Sequence, residues 1–81
     1  MMNNKSCVAF VLIECNDKAT NDVTDELKID SVIEYVKLDS TWKIIIKLEG
    51  ELEHIRDTIT QKIRKVEKIS STLTLMVIED Q

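Results

Sequence analysis

The stretch SCVAFVLIEC, Ser6–Cys15, decides the fold, because it is apolar at both its odd and its even positions. Cys7 and Ile13 belong to the first set, and Phe10 belongs to the second. Successive side chains of a strand point to opposite faces of the sheet, so this strand has two apolar faces. Such a pattern is typical of a strand in the middle of a sheet that is covered on both sides.

Length and composition indicate one small globular domain. The chain has 81 residues, of which 43% are hydrophobic and 32% charged, so we expect a single domain over residues 1–81. A net charge of −4 argues against a free-standing nucleic-acid binder, which usually has a basic face. One glycine and no proline nearly exclude phosphate-binding loops. The longest apolar run falls far short of the about 20 residues of a membrane helix, so we expect no membrane contact.

The titratable and nucleophilic residues lack the spacing of a catalytic or metal site. Cys7 and Cys15 lie on the same predicted strand, roughly 26 Å apart, and cannot form a disulfide with each other. Two free thiols fit a reducing cytoplasm, where we expect the protein to reside. No Ser or Cys has a recognisable base partner, and His54 falls outside the apolar stripe of its helix. We therefore expect no enzymatic activity, no metal and no cofactor.

The rest of the chain predicts two helices and three further strands, in the order βαββαβ. With right-handed crossovers this is an α+β, ferredoxin-like fold, in which two helices cover one face of a four-stranded antiparallel sheet of strand order 4-1-3-2. The predicted segments are a helix on the stripe Ala19, Val23 and Leu27, strands at residues 31–38 and 42–49, a helix at residues 51–66 and a strand at residues 70–79.

The second face of this sheet has no helix to cover it. An apolar area on the order of several hundred Å² there is of the size that marks an interaction site. We expect a second copy to cover it, most commonly as a two-fold dimer. The residues that we expect on the open face, besides one side of the first strand, are Ile45, Thr72, Thr74, Met76 and Ile78.

Several stretches, taken in order, carry a resemblance to a known family. They are AFVLI at residues 9–13, VIEYV at 32–36, WKIII at 42–46, the stripe Leu52, Ile55, Ile59 and Ile63, and TLTLMV at 72–77. Together they resemble the effector-binding (RAM) domain of Lrp/AsnC-type transcription regulators over about residues 8–79. The resemblance implies a dimeric α/β-barrel-like assembly through sheet faces, with further assembly of dimers into rings.

The resemblance also implies a ligand site near the hairpin between the second and third strands, where the family's amino-acid effector lies between dimers. Trp42 is either a core residue or a wall of this site, and the neighbouring turn is either a solvated loop or its rim. The two threonines of the last strand are either a cross-strand pair or ligand contacts. The candidate ligand-binding residues are Ser40, Thr41, Trp42, Lys43, Thr72 and Thr74.

Two departures from the family bear on function. The family has Gly and Asp where this hairpin has Ser40 and Lys43, and a lysine would repel an amino group and attract a carboxylate. Family members also carry an N-terminal helix-turn-helix module, whereas here the first predicted strand begins near residue 6. We therefore expect a stand-alone domain without a recognition helix and without direct DNA binding.

Three functions remain open. The first is a regulatory domain that senses a small metabolite at a subunit boundary or co-assembles with full-length Lrp/AsnC regulators. The second is a small enzyme of the dimeric α+β barrel class, which would need polar groups between helices and sheet; a deep pocket containing His54 or Tyr35 would favour it. The third is a structural oligomerisation module without a ligand.

Overall fold

The chain folds in the predicted βαββαβ order. The structure is a computed structural model that describes residues 5–29 and 31–79. Short 3-10 turns at Asp17–Ala19 and Ile63–Lys65 accompany the two helices. The elements are β1 at Ser6–Cys15, α1 at Thr20–Glu26, β2 at Val32–Lys37, β3 at Ile44–Glu51, α2 at Leu52–Gln61 and β4 at Ile69–Glu79.

The four strands form one antiparallel sheet in the order β2-β3-β1-β4, which confirms the predicted 4-1-3-2 order read from the other edge. β1 pairs with β3 on one side and with β4 on the other. The two-sided apolar strand is therefore central, as its sequence predicts. β2 and β4 are the two edges of the sheet.

The core lies between the helices and one face of the sheet. The odd positions of β1 point into it, and Val11 and Ile13 have no exposed surface. The stripe predicted for α2 contributes Leu52, Ile55, Ile59 and Ile63 from the other side. Burying an aliphatic side chain contributes about 1.5–3 kcal/mol, so these contacts hold the helices on the sheet.

α1 depends on this packing, because its sequence is a weak helix former. Asn16 begins the segment as a cap, and its side-chain Oδ1 accepts a hydrogen bond from the backbone N–H of Lys18 at 2.9 Å. The hydroxyl of Thr24 donates to the carbonyl of Thr20 at 2.7 Å. Val23 and Leu27 are fully buried and attach the helix to the core.

The predicted boundary between β3 and α2 is wrong. β3 runs to Glu51, two residues beyond the predicted end of this strand, and Gly50 pairs with Cys7 of β1. α2 ends at Gln61 rather than at residue 66, and a 3-10 turn follows. That turn keeps Ile63 buried, so the apolar stripe continues although the α-helix has ended.

The predicted faces of β4 are also wrong. Thr72 and Thr74 pair with Ile13 and Val11, and paired residues point to the same face, so both threonines point toward the helices. Met76 and Ile78, opposite Ala9 and Cys7, do the same. The physical reason is that β4 has apolar residues in both phases, so only its register against β1 decides which set faces which side. The open face takes Leu73, Leu75 and Val77 instead.

A bulge changes the phase of β2. Alternation predicts Val32 and Val36 on one face, but the register shifts between Val32 and Glu34. Val32 pairs with Leu48 of the core face, whereas Val36 pairs with Ile45, which lies on the open face as predicted. An extra residue in one strand reverses the phase beyond it, and the sequence gives no sign of its position.

Candidate functional site

The open face of the sheet carries four of the seven exposed large hydrophobic side chains among the described residues. Leu75 and Val77 are each 55% exposed, Leu73 is 47% exposed and Val36 is 48% exposed. The central strands contribute half-buried side chains to the same face. We define the open face by its apolar members, which are Val8, Phe10, Leu12, Val36, Ile45, Leu73, Leu75 and Val77.

Charged side chains lie on the open face as well, among them the base Lys47 and the acids Glu14, Glu34 and Glu49. Lys47 is paired with Phe10 on one side and with Glu34 on the other. The ammonium of Lys47 is 5.9 Å from the centroid of the Phe10 ring, within the range of a cation–π contact. These residues, with Val36 and Ile45, line a shallow depression. The face thus combines apolar area with one central base and several acids.

The β2–β3 hairpin closes at one end of the sheet. The backbone N–H of Leu38 donates to the carbonyl of Lys43 at 2.8 Å, and the hydroxyl of Ser40 donates to the carbonyl of Trp42 at 2.8 Å. The N–H of Lys43 donates to the carbonyl of Ile13 at 2.8 Å, which fastens the loop to β1. The structure therefore brings the four predicted hairpin residues together in an ordered turn.

Lys43 is not a free cation. Its Nζ lies 2.8 Å from Oδ1 of Asp17, in the turn that follows β1. The hydrogen bond that the Lys43 ammonium donates to Asp17 raises the pKa of Lys43 above its ordinary value. The Lys43 side chain is 20% exposed and that of Asp17 is 79% exposed, so the carboxylate remains open to solvent. The pair presents an ammonium and a carboxylate side by side at the hairpin.

Within a single copy of the chain, the two threonines of β4 do not lie next to the hairpin residues. Thr72 lies opposite Ile13, and Ile44 lies on the other side of Ile13. Thr72 is therefore at the same end of the sheet, but β1 and about 10 Å separate it from β3. Thr74 lies further in, on the helix side, where its buried Oγ1 finds no hydrogen-bond partner among the described residues.

Sequence reasoning missed Asp17 as a member of this site. The missing signal was topological: Ile13 pairs with Ile44, so the turns that flank those residues meet at one end of the sheet. An acid just after the first strand and a lysine just before the third are then neighbours. The pairing of central strands predicts this contact once the register is known.

Tyr35 and His54 do not share a deep pocket in the described part of the chain. Tyr35, 40% exposed, lines an open groove between α1 and β2. In the same groove the ammonium of Lys37 donates to Oδ1 of Asn21 at 2.8 Å. His54 is exposed on α2. The space between helices and sheet is filled by aliphatic side chains.

Within residues 5–29 and 31–79, no helix is long and apolar enough to cross a bilayer. Over the same ranges, no three His, Cys, Asp or Glu side chains are grouped so as to hold a metal ion.

Comparison with known proteins identifies the fold through solved structures. No protein-family model and no curated protein matches the sequence. A hypothetical protein from Pyrococcus horikoshii is 28% identical, with a TM-score of 0.81 and a match that covers 90% of each chain. The protein FFRP-DM1 is 27% identical, with a TM-score of 0.80 over 88% of this chain and 97% of that one.

A regulator of known family has the same fold. AsnC from E. coli is 24% identical, with a TM-score of 0.79 over 88% of this chain and 50% of AsnC, so this chain spans about half the length of that protein. All three matches superpose on most of this chain, with TM-scores of 0.79 to 0.81. They confirm the resemblance found in the sequence: the chain has the fold of the effector-binding domain of Lrp/AsnC-type regulators.

Proposed function

We propose that this chain is a regulatory domain of the Lrp/AsnC type that pairs with a second copy through its open face. In this proposal it senses an amino-acid-like metabolite near the β2–β3 hairpin, at a boundary between subunits. The observation that carries the proposal is the uncovered apolar face, with Leu73, Leu75 and Val77 each about half exposed.

The size of the open face supports pairing. Four strands spaced by about 4.8 Å, and a ten-residue β1 rising about 3.3 Å per residue, give a footprint of roughly 600 Å². Standard interfaces bury about 800 Å² per partner, which is the same order. At about 25 cal/mol per Å², burial of the apolar part of this face works against the cost of desolvating its charged side chains, among them Lys47, Glu34 and Glu49. Two-fold pairing also lets Lys47 of one copy meet an acid on the open face of the other.

The Lys43–Asp17 pair supports a zwitterionic ligand. Lys43 alone would favour a carboxylate and repel an amine, but Asp17 lies beside it with an exposed carboxylate. A ligand carboxylate would bind the ammonium of Lys43, and a ligand ammonium would bind Asp17, through charge-assisted hydrogen bonds. A transcriptional regulator from Neisseria meningitidis with this fold, 10% identical at a TM-score of 0.75, has been solved as a complex with L-Met.

Co-assembly with full-length regulators is the second part of the proposal. This chain spans about half of AsnC, and the matching half has the same fold. A full-length subunit would therefore present a comparable sheet face. In this proposal, co-assembly with this chain changes the composition of the regulator's assembly and thereby alters its DNA binding.

The test of pairing uses two neighbouring residues of β2 that point to opposite faces. Val36→Lys places a charge on the open face, whereas Tyr35→Lys places the same charge on the helix side. Sedimentation equilibrium should show assemblies of the same size for the wild type and for Tyr35→Lys, and smaller assemblies for Val36→Lys. A monomeric wild type at millimolar concentration would refute the pairing.

The test of sensing is calorimetry with a panel of amino acids and the corresponding keto acids. We expect heat from amino acids, lost in Lys43→Met and in Asp17→Asn. A keto acid that binds as tightly as its amino acid would refute the role of Asp17. A dimeric protein that gives no heat with any compound and does not co-purify with a regulator would leave the structural module as its function.

A further inference from the structure

The two edges of the sheet are protected to very different degrees. β2 carries Glu34 and Lys37 among its six residues and has a bulge after Val32. β4 has eleven residues, and ISSTLTLMVI, residues 69–78, contains no charge and no proline. In the described part of the chain β4 pairs only with β1, so its outer edge has no neighbour. One edge of this sheet is shielded and the other is open.

Such an edge is a template for another strand. Alternate residues of an edge strand direct their N–H and C=O groups outward, away from the sheet. Natural sheets block this edge with charges, prolines or bulges, since a long apolar edge otherwise recruits other chains. The only irregularity in β4 lies at its start, opposite Glu14 and Cys15. Residues 71–79 remain regular and unprotected.

We propose that the outer edge of β4 pairs antiparallel with the same edge of a second copy, about a two-fold axis at Leu75. This edge interface is distinct from the pairing of open faces and does not depend on any ligand. Because it joins a chain to itself through one patch on each copy, it closes as a pair and does not propagate as a fibre.

The composition of β4 favours a second copy as the occupant. A two-fold axis perpendicular to the sheet keeps the open faces of both copies on the same side. When the axis passes at Leu75, Leu75 of one copy lies opposite Leu75 of the other. Leu73 of each copy then lies opposite Val77 of the other. All three exposed apolar residues on the open side of the strand then gain apolar cross-strand partners. Over residues 71–78 no charge opposes another, because this segment contains none.

The edge interface would extend the open face. Leu73, Leu75 and Val77 belong to that face, so pairing of two edges joins two open faces into one eight-stranded apolar surface. Pairing of open faces and pairing of edges use different surfaces, and both can form at once. A chain with two different self-contacts assembles beyond a dimer.

Amide hydrogen exchange measured residue by residue tests the edge interface in the wild-type protein. A free edge protects every second amide of its strand, whereas a paired edge protects them all. We expect continuous protection across residues 72–77 at concentrations where the protein is assembled, with β2 showing protection of alternate amides as the internal control. An alternating pattern in β4 at millimolar concentration would overturn the proposal.

Two matched double variants test the register. Leu73→Lys with Val77→Glu places opposite charges across the edge interface, whereas Leu73→Lys with Val77→Lys places like charges there. Both remove the same two apolar side chains from the open face, so a loss of open-face pairing affects them equally. The all-lysine variant also has a net charge closer to zero. General charge repulsion between copies would therefore weaken association less in this variant, which is the opposite of the effect expected at the edge interface.

We expect continuous β4 protection in the lysine–glutamate variant and alternating protection in the all-lysine variant, with about a tenfold difference in dissociation constant. Equal exchange patterns and equal association in the two variants would overturn the Leu75-centred pairing. A wild type that assembles with an alternating β4 would overturn the edge interface alone. A wild type with continuous β4 protection whose assembly is unaffected by Val36→Lys would instead overturn the open-face pairing.

Discussion

Lys43 and Asp17, from two loops that are distant in sequence, meet at 2.8 Å at one end of the sheet. The pairing of Ile13 with Ile44 brings them there, because it aligns the end of β1 with the start of β3. The contact ties the turn that leads into α1 to the hairpin between β2 and β3. A ligand that binds this pair would therefore contact two separate segments of the chain at once.

This pair predicts a stability loss at high pH. The Asp17 hydrogen bond raises the pKa of Lys43 above its ordinary 10.5, so the stabilisation is fully present below pH 10.5 and is lost as pH rises through the raised pKa. Urea unfolding should show Lys43→Met closer in stability to the wild type above this pKa than at pH 7. A difference that stays constant through this range would contradict the assignment.

The pair of Lys68 and Asp22, at 2.6 Å, predicts a dependence on salt. It joins α1 to the segment before β4, and α1 has few buried residues of its own. Salt screens exposed pairs, so 1 M NaCl should speed amide exchange in α1 more than in α2. Lys68→Met should remove most of this salt effect, and Lys65→Met, which leaves the pair intact, should preserve it.

The attachment of α1 to the core predicts a large effect of one truncation. Leu27 is fully buried, so Leu27→Ala should lower the free energy of unfolding by about 2–5 kcal/mol. His54→Ala, on the exposed surface of α2, should change it by less than about 0.5 kcal/mol. Chemical denaturation measures both. A loss below about 1 kcal/mol for Leu27→Ala would mean that α1 is not packed as described.

The architecture follows from sequence where a pattern has only one solution. Ser6–Cys15 is apolar in both phases and had to be central, and the stripe through Ile55 and Ile59 had to face the sheet. β4 has apolar residues at both its odd and its even positions, so either set could face the helices. For this reason the sequence predicts the wrong face for Thr72. The contact of Asp17 with Lys43 depends on the register between distant strands, which local periodicity does not contain.

The burial of both cysteines predicts slow reaction with thiol reagents. Cys7 and Cys15 are 1% and 5% exposed, and burial raises the pKa of the Cys7 thiol, which disfavours the reactive thiolate. Both should react with a thiol reagent only as fast as the protein opens, and both should react at once in denaturant. Rapid reaction of either cysteine in the native protein would show that β1 is accessible.

Trp42 predicts an optical signal for the proposed effector site. It is the only tryptophan of the chain and lies half-buried in the hairpin, next to Lys43. A ligand held by Lys43 and Asp17 would change the surroundings of the indole, so titration with a binding amino acid should give a saturable change in fluorescence. Lys43→Met should abolish the change. The control is Lys47→Met, which removes a lysine from the open face instead and should retain the fluorescence change. Loss of the change in both variants would mean that the fluorescence reports assembly rather than a ligand at the hairpin.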